Sequence, residues 1–139
     1  MVVLTGAPID VAAVFDAVRD DACGAITGFV GVVRGDEVAG DRVVALEYEA
    51  HAAMAVGAMR RIGEEAARPG PLRWAIHHRT GRVAAGEVSV VVAIATPHRA
   101  EAFAACRIVV DRLKREVPIW KRLHFSSGRA AWAEGNPLA

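Results

Sequence analysis

The chain has 139 residues, of which 53% are hydrophobic and 24% charged, a composition typical of one globular domain and not of a disordered segment. The formal net charge is +1, so overall charge gives no reason to expect binding to nucleic acid or to an anionic membrane. No apolar run approaches the roughly 20 residues of a membrane-spanning helix.

The N-terminal half contains segments with strand patterns and segments with helical periodicity. The predicted strands are Met1–Thr5 at a sheet edge, Ala22–Arg34, and the alternating segment from Val44 to Glu49. Glycines within Ala22–Arg34 indicate close approach of another backbone, and Gly35–Asp41 is predicted as a polar loop. The predicted helices are Val11–Arg19 with Asp10 as N-cap, and Ala52–Ala67, which ends at Arg68-Pro69-Gly70-Pro71.

The C-terminal half predicts two strands followed by a long helix. The strands are Leu72–Thr80 and Glu87–Ala95, separated by a turn over Gly81–Gly86. Thr96 is the expected N-cap of a helix from Pro97 to about Glu116, whose predicted core face is Phe103, Cys106, Val110 and Leu113. Short strands and turns follow, and residues 135–139 are predicted to be a loose tail. We therefore expect a single domain over residues 1–139 with an α+β fold, in which helices pack on a largely antiparallel sheet.

The two cysteines, Cys23 and Cys106, lie in apolar runs and are interpreted as reduced core residues, which favours a cytoplasmic protein. They are too few for a zinc site, and no His–Cys ligand spacing accompanies them. His77 and His78 have no acidic partner at ligand spacing and are interpreted as structural. The sequence predicts no metal site and no cofactor.

Lys114 and Lys121 stand seven residues apart on either side of Pro118. Proline stops the preceding helix, because it lacks an N–H and clashes with the turn before it. The chain therefore turns back where both ammonium groups could face one pocket. A lysine beside a second cation is a candidate for a lowered pKa and for general-base or nucleophilic chemistry. For either lysine alone, helix capping or a surface charge is the simpler interpretation.

His98 and Arg99 lie in the first turn of the long helix, where cations are normally disfavoured. With free backbone N–H groups they would form a site for a phosphate or carboxylate; alternatively both side chains point into solvent. His98 and Lys114 are sixteen residues apart, about 24 Å along a helix. If both ends of the helix are functional, either they belong to two sites, or a second copy of the chain brings its own helix alongside. Arg34 ends a strand and opens a loop, a common location for functional residues.

These segments together resemble the large, catalytic subunit of molybdopterin synthase, the MoaE family, over roughly residues 24–132. The resemblance is carried by Gly31-Val32-Val33-Arg34, Leu46-Glu47-Tyr48-Glu49-Ala50, His78-Arg79-Thr80-Gly81, Pro97-His98-Arg99 with Phe103, Leu113-Lys114, and Val117-Pro118-Ile119-Trp120-Lys121-Arg122. The histidine–arginine segment followed at this separation by the two lysines is its most specific part.

The resemblance implies an α/β hammerhead-type fold and a homodimer, each copy binding one ubiquitin-like small subunit that ends in Gly-Gly. It implies transfer of sulfur from a thiocarboxylate on that terminus to cyclic pyranopterin monophosphate, forming the dithiolene of molybdopterin. By position it assigns Lys114 and Lys121 as active-site lysines and Arg34, His98 and Arg99 to the anionic-substrate pocket. The flanking residues, expected to add backbone contacts, are Val32, Val33, Arg122 and Leu123.

Two positions depart from the family pattern: Leu123 replaces a frequent acidic residue, and His51 replaces a frequent aromatic. The segment after Trp132 also matches poorly. The residues themselves leave two other functions open, a non-catalytic anion- or phosphate-binding regulatory dimer and a Schiff-base lysine enzyme. They also leave open which lysine acts as base, acid or transient nucleophile.

Overall fold

Two sheets and three helices form the structure, a computed structural model that describes residues 1–68, 70 and 72–133. In chain order the elements are β1 (Val2–Thr5), α1 (Val11–Asp16), β2 (Ala25–Val32), β3 (Glu37–Val38), β4 (Asp41–Ala50), α2 (Ala52–Ala67), β5 (Arg73–Arg79), β6 (Gly81–Ala84), β7 (Val88–Thr96), α3 (Arg99–Glu116), β8 (Ile119–Phe125) and β9 (Ala130–Trp132). The predicted loose tail, and Pro69 and Pro71 of the predicted helix-ending segment, lie outside the described residues. Among the described residues, no helix combines the length and apolarity that crossing a membrane requires.

The first sheet has four strands in the order β1-β5-β7-β2, and β2 lies at one of its edges. The second has five strands: β3, β4, β8 and β9 follow one another, and β6 also pairs with β4. Of the pairings in the described part of the chain, β1 with β5 is parallel and the others are antiparallel. This confirms the predicted α+β fold with a largely antiparallel sheet.

Successive residues of β5 and β7 point to opposite faces of the four-stranded sheet, and side chains on both faces of these two central strands are buried. Ile76, Val92 and Ile94 are fully buried in the larger core with residues of α2, α3 and the second sheet. On the other face, Ala75 and Ala93 pack with α1. The sequence of β7 therefore reads as a continuous apolar run, as a central strand requires.

The predicted boundaries of α2 are confirmed, whereas α1 is shorter than expected. Asp10 caps α1 by accepting a hydrogen bond from the N–H of Ala13 at 3.1 Å, as predicted, but the helix ends at Asp16 and not at Arg19. Val18 is nevertheless almost completely buried at 1% exposure, so the segment after the helix still contributes to the core.

The glycines of the β2 region mark close approach, as predicted, though in two ways. A Cβ on Gly24 would lie 2.8 Å from the carbonyl oxygen of Pro97, which is a backbone contact. At Gly28 a Cβ would instead collide with the Phe15 ring of α1, so there the neighbour is a side chain and the backbone expectation is wrong.

Two segments predicted as turn and loop contain strands. Within Gly81–Gly86, β6 pairs with β4, and Val83 is fully buried opposite Leu46. Positive φ angles at Gly81 and Gly86 confine the turns to the two ends of the segment. Within Gly35–Asp41, β3 pairs with the start of β4.

The predicted core face of α3 is wrong at Phe103, which is 64% exposed. The buried residues of α3 are Ala102, Ala105, Cys106, Val109 and Leu113. The predicted face does not include Ala102, Ala105 or Val109. The helix begins at Arg99, and His98 is the N-cap residue in place of Thr96. The Thr96 hydroxyl instead donates to the carbonyl oxygen of His98 at 2.6 Å.

Candidate functional site

A cavity of about 720 Å³ lies between the end of β2, the inner face of the five-stranded sheet and the C-terminal half of α3. Its charged lining residues are Arg34, Asp36, Lys114, Lys121 and Arg129. Four of these five side chains are cationic, so the cavity is suited to anionic ligands.

Lys114 reaches this cavity from the last turn of α3, where a cation also complements the helix dipole. The neighbouring Leu113 is 4% exposed and fixes that turn against the core. The helix then ends because Val117 is extended, with φ −84° and ψ 126°, as the residue before a proline prefers.

Lys121 reaches the cavity from β8, which starts directly after this break. Alternate residues of β8, Lys121, Leu123 and Phe125, all line the cavity. Lys114 and Lys121 line the same cavity, so the chain turns back between them as the sequence predicts.

Burial is the largest influence on Lys121 and lowers the pKa of its ammonium group. The positive charges of Lys114 and then Arg34 lower that pKa further, and Asp36 opposes them. The guanidinium of Arg34 lies 3.3 Å from the Asp36 carboxylate in an exposed pair. Lys121 therefore loses its proton more readily than an ordinary lysine, which suits it to accept or donate a proton.

The cavity brings together six of the nine residues that the sequence predicts for the site. They are Val32, Val33, Arg34, Lys114, Lys121 and Leu123. Arg122 lies on the other face of β8, opposite Glu47 of β4, with its guanidinium carbon 5.9 Å from the Trp132 ring centroid. Arg122 is not among the described residues that line the cavity.

His98 and Arg99 lie at the opposite end of α3 from Lys114, and the helix between them is unbroken. His98 borders a second cavity of about 490 Å³ between the end of α2 and the first half of α3. Arg99 is exposed and, as far as the described residues go, lines neither cavity. Within one chain, the predicted anion-binding residues and the two lysines therefore do not meet.

Sequence reasoning did not assign Tyr48, His78 or Ser89 to the site, yet all three line the first cavity. One signal for the site was available in the sequence: Lys114 and Lys121 are the chain's two lysines among 17 Lys and Arg residues. In a chain that otherwise uses arginine for its positive charges, both lysines lie at one cavity. No group of three or more His, Cys, Asp or Glu side chains in the described ranges could hold a metal ion.

The family described as MoaE protein matches residues 4–116. The chain is 42% identical over 131 residues to the molybdopterin synthase catalytic subunit of Nostoc sp., covering 93% of this chain and 79% of that relative. It is 42% identical over 135 residues to molybdopterin synthase catalytic subunit 1 of Aedes aegypti, covering 94% of this chain and 86% of that one.

The solved structure of molybdopterin synthase from Staphylococcus aureus has a similar fold. Its TM-score is 0.88 at 30% sequence identity, with 95% of this chain and 96% of that one covered. The sequence identity to these relatives extends over nearly the whole chain, which is more similarity than a shared fold alone requires. The chain therefore belongs to the MoaE family of molybdopterin synthase catalytic subunits, which are sulfurtransferases.

Proposed function

We propose that this chain transfers sulfur from the thiocarboxylated Gly-Gly terminus of a ubiquitin-like small subunit to cyclic pyranopterin monophosphate, forming the molybdopterin dithiolene. The observation that carries the proposal is the convergence of both lysines of the chain on one cavity with Arg34. A thiocarboxylate and a phosphate are both anions, and such a cavity stabilises both.

In this proposal the two lysines orient and polarise the thiocarboxylate, and one of them moves a proton. The lowered pKa of Lys121 favours it for the proton step, while Lys114 supplies a positive charge from the end of α3. Arg34, beside Asp36 at the end of the β2 wall, is the cation of this chain proposed to hold the phosphate.

We further propose a homodimer in which His98 and Arg99 complete the cavity of a second copy. Strand β2 is antiparallel to β7. Helix α3 follows β7 and packs back against it and against β2, so β2 and α3 run in the same direction. The start of β2 lies beside His98, since the N–H of Gly24 donates to the carbonyl oxygen of Pro97 at 3.2 Å. The residues after the end of β2 lie beside Lys114.

Strand β2 is an edge strand that exposes apolar side chains, Ile26, Val30 and Val32. An unpaired apolar edge of this kind favours pairing with another strand. Antiparallel pairing of two β2 strands about a twofold axis would bring the His98 end of one copy to the Lys114 end of the other. This arrangement accounts for the separation of His98 and Lys114 within one chain.

Replacing Lys114 tests the proposed chemistry. Lys114→Ala should abolish molybdopterin formation from thiocarboxylated small subunit and pyranopterin, assayed by product fluorescence. It should cost well under about 1 kcal/mol of stability, because the side chain is exposed at a helix end. Arg115→Ala, which removes a cation from the same turn but outside the cavity lining, should retain turnover.

Normal turnover by folded Lys114→Ala would refute the assignment. Tight pyranopterin binding by the unaltered chain without turnover, with the thiocarboxylated partner present, would favour the regulatory dimer instead. Trapping of a carbonyl substrate on either lysine by borohydride would favour a Schiff-base enzyme.

A further inference from the structure

Two almost completely buried side chains on the cavity wall have no part in the chemistry proposed above. Tyr48 of β4 is 7% exposed and His78 of β5 is 2% exposed, and both line the cavity. Their rings meet edge to face, with centroids 5.1 Å apart and planes at 79°. This is a favourable aromatic geometry, and it joins the two sheets at the cavity.

The imidazole of His78 is held as one neutral tautomer. Its Nδ1 lies 2.6 Å from the carbonyl oxygen of Arg79, and because a carbonyl oxygen accepts, Nδ1 carries the proton. Burial lowers the pKa of His78, so the ring is uncharged at neutral pH. A neutral ring next to a cationic cavity adds no repulsion toward the lysines.

The phenol of Tyr48 has β7 at its hydroxyl end. Ser89 of β7 donates from Oγ to the carbonyl oxygen of Gly31 at 3.3 Å. The same hydroxyl lies near the phenol and partly opposes the rise that burial causes in the pKa of Tyr48. The ring therefore packs against β5 at one side and has β7 at its hydroxyl end.

Tyr48 lies directly opposite Lys121 in the pairing of β4 with β8. Opposite residues of an antiparallel pair project from the same face, with Cβ atoms about 5 Å apart. Both side chains also line the cavity. The aliphatic stem of the lysine therefore has the fixed tyrosine ring as its cross-strand neighbour.

We propose that Tyr48 is a positioning residue for Lys121: its ring holds the lysine stem and keeps water from the ammonium group, while the His78 ring holds the tyrosine ring. The role in catalysis rests on the proposed function of Lys121. Among the described residues, the charged groups that act on the pKa of Lys121 include Lys114, Arg34 and Asp36, but burial is the largest influence. Tyr48 is uncharged, since burial raises the pKa of its phenol, and so it acts through water exclusion.

The composition of the chain makes this proposal directly measurable, because it has one tyrosine and two lysines. In protein labelled with ¹³C-lysine, the two ε-carbon resonances are followed against pH and assigned with Lys114→Arg. In Tyr48→Leu the Lys121 titration should move upward by about one pH unit, toward that of an ordinary lysine. In Tyr48→Phe, which keeps the ring, it should stay close to that of the unaltered chain.

Trp120→Leu is the matched control. It removes an exposed aromatic next to Lys121 in sequence but on the other face of β8, and it should leave the Lys121 titration unchanged. A second measurement uses the unaltered chain and so does not depend on whether a variant folds. A nuclear Overhauser effect is expected between the tyrosine ring protons and the ε-methylene protons of Lys121.

Absence of that Overhauser effect, or an unchanged Lys121 titration in folded Tyr48→Leu, would overturn the proposal. With turnover established, the pH dependence of kcat should shift in Tyr48→Leu and not in Tyr48→Phe; equal profiles would overturn the positioning role. The resonance measurements involve no substrate, so they stand apart from the test of sulfur transfer by Lys114→Ala.

Discussion

Burial and neighbouring cations act on Lys121 in the same direction, since each favours the neutral amine over the ammonium form. Lys114 is the first of those cations and lies at the end of an exposed helical turn. The two lysines therefore differ in environment although they share a cavity. One is half-buried on a strand and the other is exposed on a helix, which suits them to separate roles in a proton-coupled transfer.

The buried histidine predicts how stability responds to acid. Burial lowers the pKa of His78 in the folded state, so below about pH 6.5 the unfolded chain binds a proton that the folded chain does not. Its stabilising effect is complete above about pH 6.5 and is lost as pH falls toward the lowered pKa. His77, whose pKa burial also lowers, acts in the same direction.

We therefore expect the free energy of unfolding in urea to fall between about pH 7.5 and about pH 5. His78→Asn keeps a donor near the Nδ1 position but does not titrate, so its stability should depend less steeply on pH. A slope as steep as that of the unaltered chain would show that His78 does not contribute to acid sensitivity.

At the scale of elements, two glycines of α2 predict opposite responses to the same substitution. A Cβ on Gly57 would meet nothing within 4 Å, so Gly57→Ala should stabilise the protein by about 0.5–1 kcal/mol through helix propensity. A Cβ on Gly63 would lie 2.5 Å from three atoms of the Trp74 indole. Gly63→Ala should therefore destabilise by about 1–3 kcal/mol.

Thermal and urea unfolding of both variants measure this difference. The pair controls for helix propensity, because the same change is made in one helix. Equal effects of the two substitutions would contradict the packing of β5 against α2 through Trp74.

Local patterns account for α2 and β7 but not for β6 or the buried face of α3. The stripe of Ala55, Met59 and Ile62 specifies α2 without reference to other elements. Strand β6 exists because it pairs with β4, more than 30 residues earlier, and its sequence offers one buried side chain, Val83. On α3 the small Ala102 and Ala105 allow close approach to β2 and β7, and an alanine carries little weight in an apolar pattern.

The candidate site divides in the same way. Lys114 and Lys121 flank a proline, so their proximity follows from a local reversal of the chain that the sequence displays. Tyr48 and His78 belong to different sheets, and their contact depends on how those sheets pack. The alternation of the sequence places Tyr48 on the buried face of β4, but it does not indicate that β5 of the other sheet packs against the tyrosine ring.

For the whole molecule, the length of α3 is the constraint on the candidate site. The helix runs unbroken from Arg99 to Glu116, with His98 just before its first residue and Lys114 in its last turn. A pterin phosphate is much shorter than the helix, about 27 Å at its 18 residues. If His98 contributes to the chemistry, it does so in a pocket that contains the lysines of another copy.

This arrangement predicts complementation between two inactive variants, His98→Ala and Lys114→Ala, mixed under conditions that allow subunit exchange. In a mixed dimer one pocket carries both lesions and the other carries neither, so activity should return. With random exchange about half the dimers are mixed and each has one intact pocket of two, which sets a ceiling of about a quarter of the unaltered activity. Mass spectrometry of differently tagged copies verifies that exchange has occurred. Activity that stays at zero after verified exchange would place both residues in the pocket of one chain. Full activity of a monomer would refute the shared pocket, because no second α3 would then be present to supply His98.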